Sequence, residues 1–175
     1  MSRWCLPLGA AAMLLAAAAC AGPPAGAPSS SARPAGPAVT SLVFSYGVGA
    51  RNVLDTAAGT FTRDMITASP ITIPLELSAA EMESIAAKMA AIGFFSYPAV
   101  FSVPPAPGSG VVTPFVTYRF AVTTAAGTKV VEWADDVPSD DKQAEGLRSL
   151  AGLIEGIIVA KPDYGRLPEP QGGYL

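Results

Sequence analysis

Between Ser41 and Ile158 the apolar residues follow two different periods, and no other property of the chain narrows its fold as far. Leu42, Phe44, Tyr46 and Val48 alternate with Ser41, Val43, Ser45 and Gly47, which predicts a half-buried strand over 41–48 with a bulge or bend at Gly47 and Gly49. Met82, Ile85, Ala86, Met89 and Ile92 instead recur at helical spacing and make one apolar face. A chain that switches between these periods must pair a sheet with helices.

Runs at 51–56 and 60–65 read as a hairpin turning at Gly59, and Val116–Val122 with Lys129–Trp133 as a second one turning at Gly127. The string Thr-Ala-Ala-Gly-Thr occurs at both, at 56–60 and 124–128, which predicts one turn geometry used twice: a type I turn closed by a glycine bulge. Ile71, Ile73, Leu75 and Leu77 alternate around Pro74, whose missing N–H assigns that strand to an edge. Ser78 and Glu81 are spaced as a capping box at the start of the first helix, and Gly93 is its left-handed stop. Ser139 is the expected cap of a second helix with Leu147, Leu150, Ala151, Ile154, Ile157 and Ile158 on one face. Gly152 and Gly156, one turn apart, predict a close approach of that helix to the sheet. The stretch 96–114, rich in proline and glycine, reads as a long loop.

These elements imply an α+β domain: a mainly antiparallel sheet of about five strands with two helices packed on one face. Their order, with Leu77-Ser78-x-x-Glu81 entering the first helix and Gly93-Phe94-Phe95 leaving it, resembles small uncharacterised bacterial lipoprotein domains over about Ser41 to Ile158. The motifs that carry the resemblance are caps and packing residues, so it implies a fold and no activity, ligand or catalytic residue.

The N-terminal segment reads independently. Arg3, an apolar stretch from about Leu6 to Ala19, and Ala16-Ala17-Ala18-Ala19-Cys20 resemble a secretory signal ending in a bacterial lipobox, with Ala17 where such boxes usually carry Leu. Residues 1–19 are then a signal peptide, and Cys20 becomes the lipidated first residue of an exported protein anchored to a bacterial membrane. The alternatives are ordinary cleavage near Ala19 and an uncleaved anchor, the latter disfavoured by Pro7, Gly9 and the many alanines. Residues 20–39 are nearly all Ala, Gly, Pro and Ser and read as a disordered tether, reaching between about 25 Å as a coil and about 60 Å fully extended. The domain is expected over 40–160, followed by a loosely ordered tail over 161–175.

Composition excludes several functions. The 175 residues contain no histidine and two cysteines, of which Cys5 leaves with the signal, so imidazole bases, Ser-His-Asp and Cys-His nucleophiles and the usual zinc sites are ruled out. A single remaining cysteine makes no intrachain disulfide, and the core alone must hold the fold. A formal charge of −3 with no basic stripe speaks against nucleic acid as a partner.

Three groups merit weighing as sites. Asp135, Asp136, Asp140 and Asp141 place four carboxylates close together, but they lack the glycine turn and distal glutamate of a calcium loop. Helix entry and loop solvation explain them better, with Asp140 and Asp141 in the first helical turn. Glu81 and Glu83 lie two residues apart on a helix and face different ways, which does not suit glycoside chemistry. Tyr97 and Phe101, followed by Pro104 and Pro105, form either an exposed surface for a partner or a cover for the core edge. The reading that follows is an envelope lipoprotein with no cofactor, binding or supporting another envelope protein or peptide without catalysis. A carboxylate-dependent hydrolase of envelope glycans and an inhibitor presenting the proline-rich loop are the rivals.

Overall fold

The computed structural model describes residues 36–108 and 110–174. Among them the chain forms strands β1 (Val39–Tyr46), β2 (Asn52–Asp55), β3 (Thr60–Met65) and β4 (Ala68–Pro74), then helix α1 (Ala79–Ala91). Strands β5 (Val100–Phe101), β6 (Val116–Thr124) and β7 (Gly127–Asp135) and helix α2 (Lys142–Val159) follow. The fold class is the expected α+β, with seven strands rather than about five, in the order β4-β3-β2-β1-β6-β7-β5. Neighbours are antiparallel except β5, which runs parallel to β7 from inside the segment read as a loop. Two residues are too few to show alternation, so β5 left no trace in the sequence.

One row of side chains crosses the sheet. Register pairs Ile73 with Phe61, Phe61 with Leu54, Leu54 with Phe44, Phe44 with Phe120 and Phe120 with Val131. Paired residues point to the same side, and this side packs with Ile85 and Met89 of α1 and Leu147, Leu150, Ala151, Ile154 and Ile158 of α2 in one continuous core. Both helices therefore cover one face. On the other face, with Val43, Thr62, Ala121 and Val130, no helix of the described residues packs.

Local chemistry explains the entry to α1. Ser78 Oγ accepts from Glu81 N and the Glu81 carboxylate accepts from Ser78 N, which completes the capping box, while Gly93 stops the helix at φ +67. Pro74 lies in β4, at the edge. Strand β1 ends earlier than expected, because Gly47 at φ +92 turns the chain into a single 3-10 turn over Val48–Ala50.

Four expectations are corrected. The repeated pentapeptide makes two different turns: Asp55 pairs with Thr60 across a four-residue loop, whereas Thr124 pairs with Gly127 across two residues. The preceding side chain decides, since Asp55 Oδ1 accepts from the N–H groups of Ala57 and Ala58, and no acid precedes the second copy. The cap of α2 is Asp141, not Ser139; its carboxylate accepts from Gln143 N and Ala144 N, and Asp140 and Asp141 lie outside the helix. A Cβ at Gly152 or Gly156 would meet nothing within 4 Å, so neither brings α2 close to the sheet. The close approach is at Gly146, where a Cβ would lie 3.0 Å from the Tyr97 hydroxyl and 3.4 Å from Ile92 Cβ.

The tail over 161–174 is packed rather than loose. Leu167 is buried, Glu169 pairs with Arg63, Gln171 bridges Ile66, and the Tyr174 hydroxyl donates to Asp64. Its polar composition hid this, because the contacts it makes are with residues about a hundred positions away.

Candidate functional site

The expected site residues are dispersed by the fold. Cys20 and the signal peptide lie outside the described residues. Tyr97 and Phe101 are 2% and 6% exposed and present no surface. Tyr97 donates to the Gln143 carbonyl at 2.9 Å and meets Phe101 edge to face, and Phe101 meets Trp133 in the same way. The partner surface reduces to exposed Pro104 and Pro105. The four aspartates also separate in role. Asp135 holds Arg148, Asp136 offers its carbonyl to Val112 N, and Asp141 caps α2. Among the described residues no group of three or more Cys, Asp or Glu side chains is placed to hold a metal.

A different group of residues lies on the helix-covered side of the sheet. The alternation that places Phe44 and Phe120 in the core places Tyr46 and Tyr118, two residues away in each strand, on the same side but nearer solvent. Their rings belong to a continuous aromatic row. Centroid separations along it are 5.6 Å from Tyr164 to Phe61, 6.4 Å to Tyr46, 5.1 Å to Phe44, 6.3 Å to Tyr118 and 5.6 Å to Trp133. A guanidinium closes each end, Arg63 at 5.0 Å from the Tyr164 centroid and Arg148 at 5.3 Å from that of Trp133.

Both cations are held by acids. Arg148 grips Asp135 with two bonds of 2.7 and 2.9 Å and donates a third to the Ser139 carbonyl, so its charge is fixed and its proton bound more tightly than usual. Arg63 is buried and bonds Glu169 at 3.1 Å.

Glu155 lies on α2 two turns beyond Arg148. It is half-buried, and among the described residues it makes no hydrogen bond and no ion pair. Burial pushes its pKa up. Its charge acts on both neighbouring phenols. The Tyr118 pKa is pushed up to about 12 by burial and then by Glu155 and Asp135, against Arg148. Tyr46 is raised further by burial, Tyr164 and Glu155, against Arg63. Both phenols therefore keep their protons at neutral pH and can give or take hydrogen bonds, while neither acts as a base.

Glu155, Tyr46 and Tyr118 were missed in the sequence because each completes an ordinary pattern. The tyrosines continue strand alternation, and a single glutamate between Ile154 and Gly156 reads as helix surface. The one available signal was a helix carrying three glycines.

Smaller features carry less. A shallow apolar groove of about 330 Å³ lies where Gly36 and Pro37 meet Met89, Ala90 and Phe95, with only Ser96 to supply a polar side chain. No helix among the described residues is long and apolar enough to cross a membrane. The chain matches no family model, no curated protein and no solved structure.

Proposed function

We propose that the protein is an exported envelope lipoprotein, held to a bacterial membrane by lipid on Cys20, whose α+β domain binds or supports another envelope component without catalysing a reaction. The binding half rests on one observation: Glu155 is half-buried on α2 and makes no hydrogen bond or ion pair among the described residues. Every fully buried side-chain polar atom among the described residues has a hydrogen-bond partner, so the unbonded Glu155 carboxyl reaches solvent and is open to a ligand. Protonated phenols and a single unpaired carboxyl suit hydrogen-bonded recognition more than bond cleavage.

The hydrolase alternative draws on the same Glu155, since a carboxyl with a raised pKa suits a proton donor. It also needs a second free carboxylate, and both oxygens of Asp135 are held by Arg148.

The anchoring half rests on the sequence around Cys20. Several acyl chains give stable attachment where one does not. The Cys20→Ser variant is expected in the soluble envelope fraction, and its persistence in the membrane pellet through a high-salt wash would refute the anchor.

A further inference from the structure

We infer that the apolar groove at the C-terminal end of α1 is the docking site of the chain's own proximal tether, with Pro34 seated against Phe95 in polyproline II conformation. The inference is independent of Glu155 and of lipid on Cys20.

The point where the chain enters the groove identifies the occupant. The described residues begin at Gly36, and Gly36 and Pro37 themselves line the groove of about 330 Å³ with Ala90, Phe95 and Ser96. The residues before Gly36 therefore start at the groove and have no distance to cross. Gly36 is also held against the helix. A Cβ on it would lie 3.1 Å from Ala90 Cβ, inside the ordinary carbon contact of about 3.5–4.0 Å. Its backbone is not left-handed, so φ does not call for glycine here and the close approach does. A stretch that only had to span distance would need no such fit to α1.

Proline spacing sets the register. Pro34 and Pro37 are three residues apart, one turn of polyproline II, so in that conformation both rings lie along one edge. Pro37 is already at the groove, and residues 36–38 belong to no helix, strand or turn. One more turn of the same backbone brings Pro34 to the same lining. Proline-rich segments dock on aromatic-lined grooves because their backbone is extended beforehand and little entropy is lost on binding. Phe95, half-buried and edge to face with Phe94 at 5.6 Å, supplies the aromatic surface. The Ser96 hydroxyl is engaged internally, donating to the Gly93 carbonyl at 2.7 Å, so the lining suits an apolar occupant better than a polar one.

Docking has a consequence for the form anchored through Cys20. The free tether shortens to residues 20–33, which reach between roughly 20 Å as a coil and roughly 43 Å fully extended. The domain is then joined to its anchor beside α1.

The test is NMR of the full chain carrying Cys20→Ser, reading the backbone order parameter of Ala35 and the contacts of the Phe95 ring. Nuclear Overhauser effects between the Pro34 and Phe95 rings are expected, with an order parameter at Ala35 near the rigid value of about 0.85. Gly36→Val, which crowds Ala90, should lower that of Ala35 below about 0.6 and erase the ring contacts while leaving the Leu42 and Phe44 resonances in place. Pro34→Ser keeps the Gly36 contact and should move the Phe95 and Ser96 resonances toward their positions in Gly36→Val. A mobile Ala35 in the parent chain, or Phe95 resonances indifferent to Pro34→Ser, overturns the docking. Concentration-dependent Phe95 shifts would assign the groove to a second copy and also overturn it. So would contacts from acyl protons replacing those of Pro34 when the lipidated protein is measured in nanodiscs.

Discussion

Glu81 and Glu155 lie on the two helices of one domain, and their surroundings act on them in opposite directions. Around Glu81 everything is paired: its carboxylate accepts from Ser78 N at 2.7 Å, from Ser78 Oγ at 3.0 Å and from Lys161 at 2.7 Å. Lys161, with help from Ser78, holds its pKa below the ordinary value. Glu155 itself makes no hydrogen bond or ion pair among the described residues, and burial holds its pKa above the ordinary value. A residue that closes a helix end has its partners in the fold, whereas one left half-buried without partners weakens the fold and is available to something outside it.

The largest effect should come from the paired side of the molecule. Tyr97→Ala removes a buried ring that touches Phe94 and Phe101, together with the bond from its hydroxyl to the Gln143 carbonyl, so a loss of about 3–5 kcal/mol is expected in urea unfolding. A loss under about 1 kcal/mol would restore Tyr97 as a surface residue. Next in size is Glu81→Ala, which undoes the capping box and the Lys161 pair together and should cost about 1 kcal/mol, most of it from the cap because the ion pair is partly exposed.

Glu155→Gln should have the opposite sign. A carboxyl whose folded pKa is raised leaves stability intact below the unfolded-state value and lowers it as pH rises through the folded one. Wild type and Glu155→Gln should therefore be equally stable below the ordinary carboxyl range and diverge above it, with the glutamine variant the more stable at pH 7. Glu81, whose pKa is lowered, contributes stability above its ordinary value and loses it as pH falls through the folded value. Paired melts of wild type and both variants across pH would show two curves bending in opposite senses. Parallel curves would erase the distinction between the two helices.

The smallest effects concern single hydroxyls. Tyr97→Phe should cost about 1 kcal/mol because the bond from its hydroxyl to the Gln143 carbonyl is lost. Tyr118→Phe, which breaks no hydrogen bond among the described residues, should stay within about 0.5 kcal/mol of wild type. Equal costs for the two would mean that Tyr118 has a partner inside the fold.

What could be read in advance was whatever is decided within a few residues. Ser78 and Glu81 state a cap, Gly93 states a stop, and Pro74 states an edge, because the groups that satisfy one another are three or four positions apart or are absent from the residue itself. The periods of 41–48 and 82–92 declared strand and helix for the same reason, and with them the α+β class. The candidate site was not legible in this way. Tyr46, Tyr118 and Glu155 come from three elements, and what distinguishes them is the partners they lack once the helix lies on the sheet.

The sequence alone therefore determined the longer elements, the cap and stop of α1 and the face that each of these elements buries, since local backbone chemistry and side-chain period set those. Only the tertiary structure decided that 100–101 would add a parallel strand, that the tail would dock on Arg63 and Asp64, and that Gly146 rather than Gly152 would admit a neighbour. It alone also left Glu155 unpaired beside two tyrosines. Those outcomes depend on which distant residues compete for the same space and charge, and no window of neighbouring residues contains that competition.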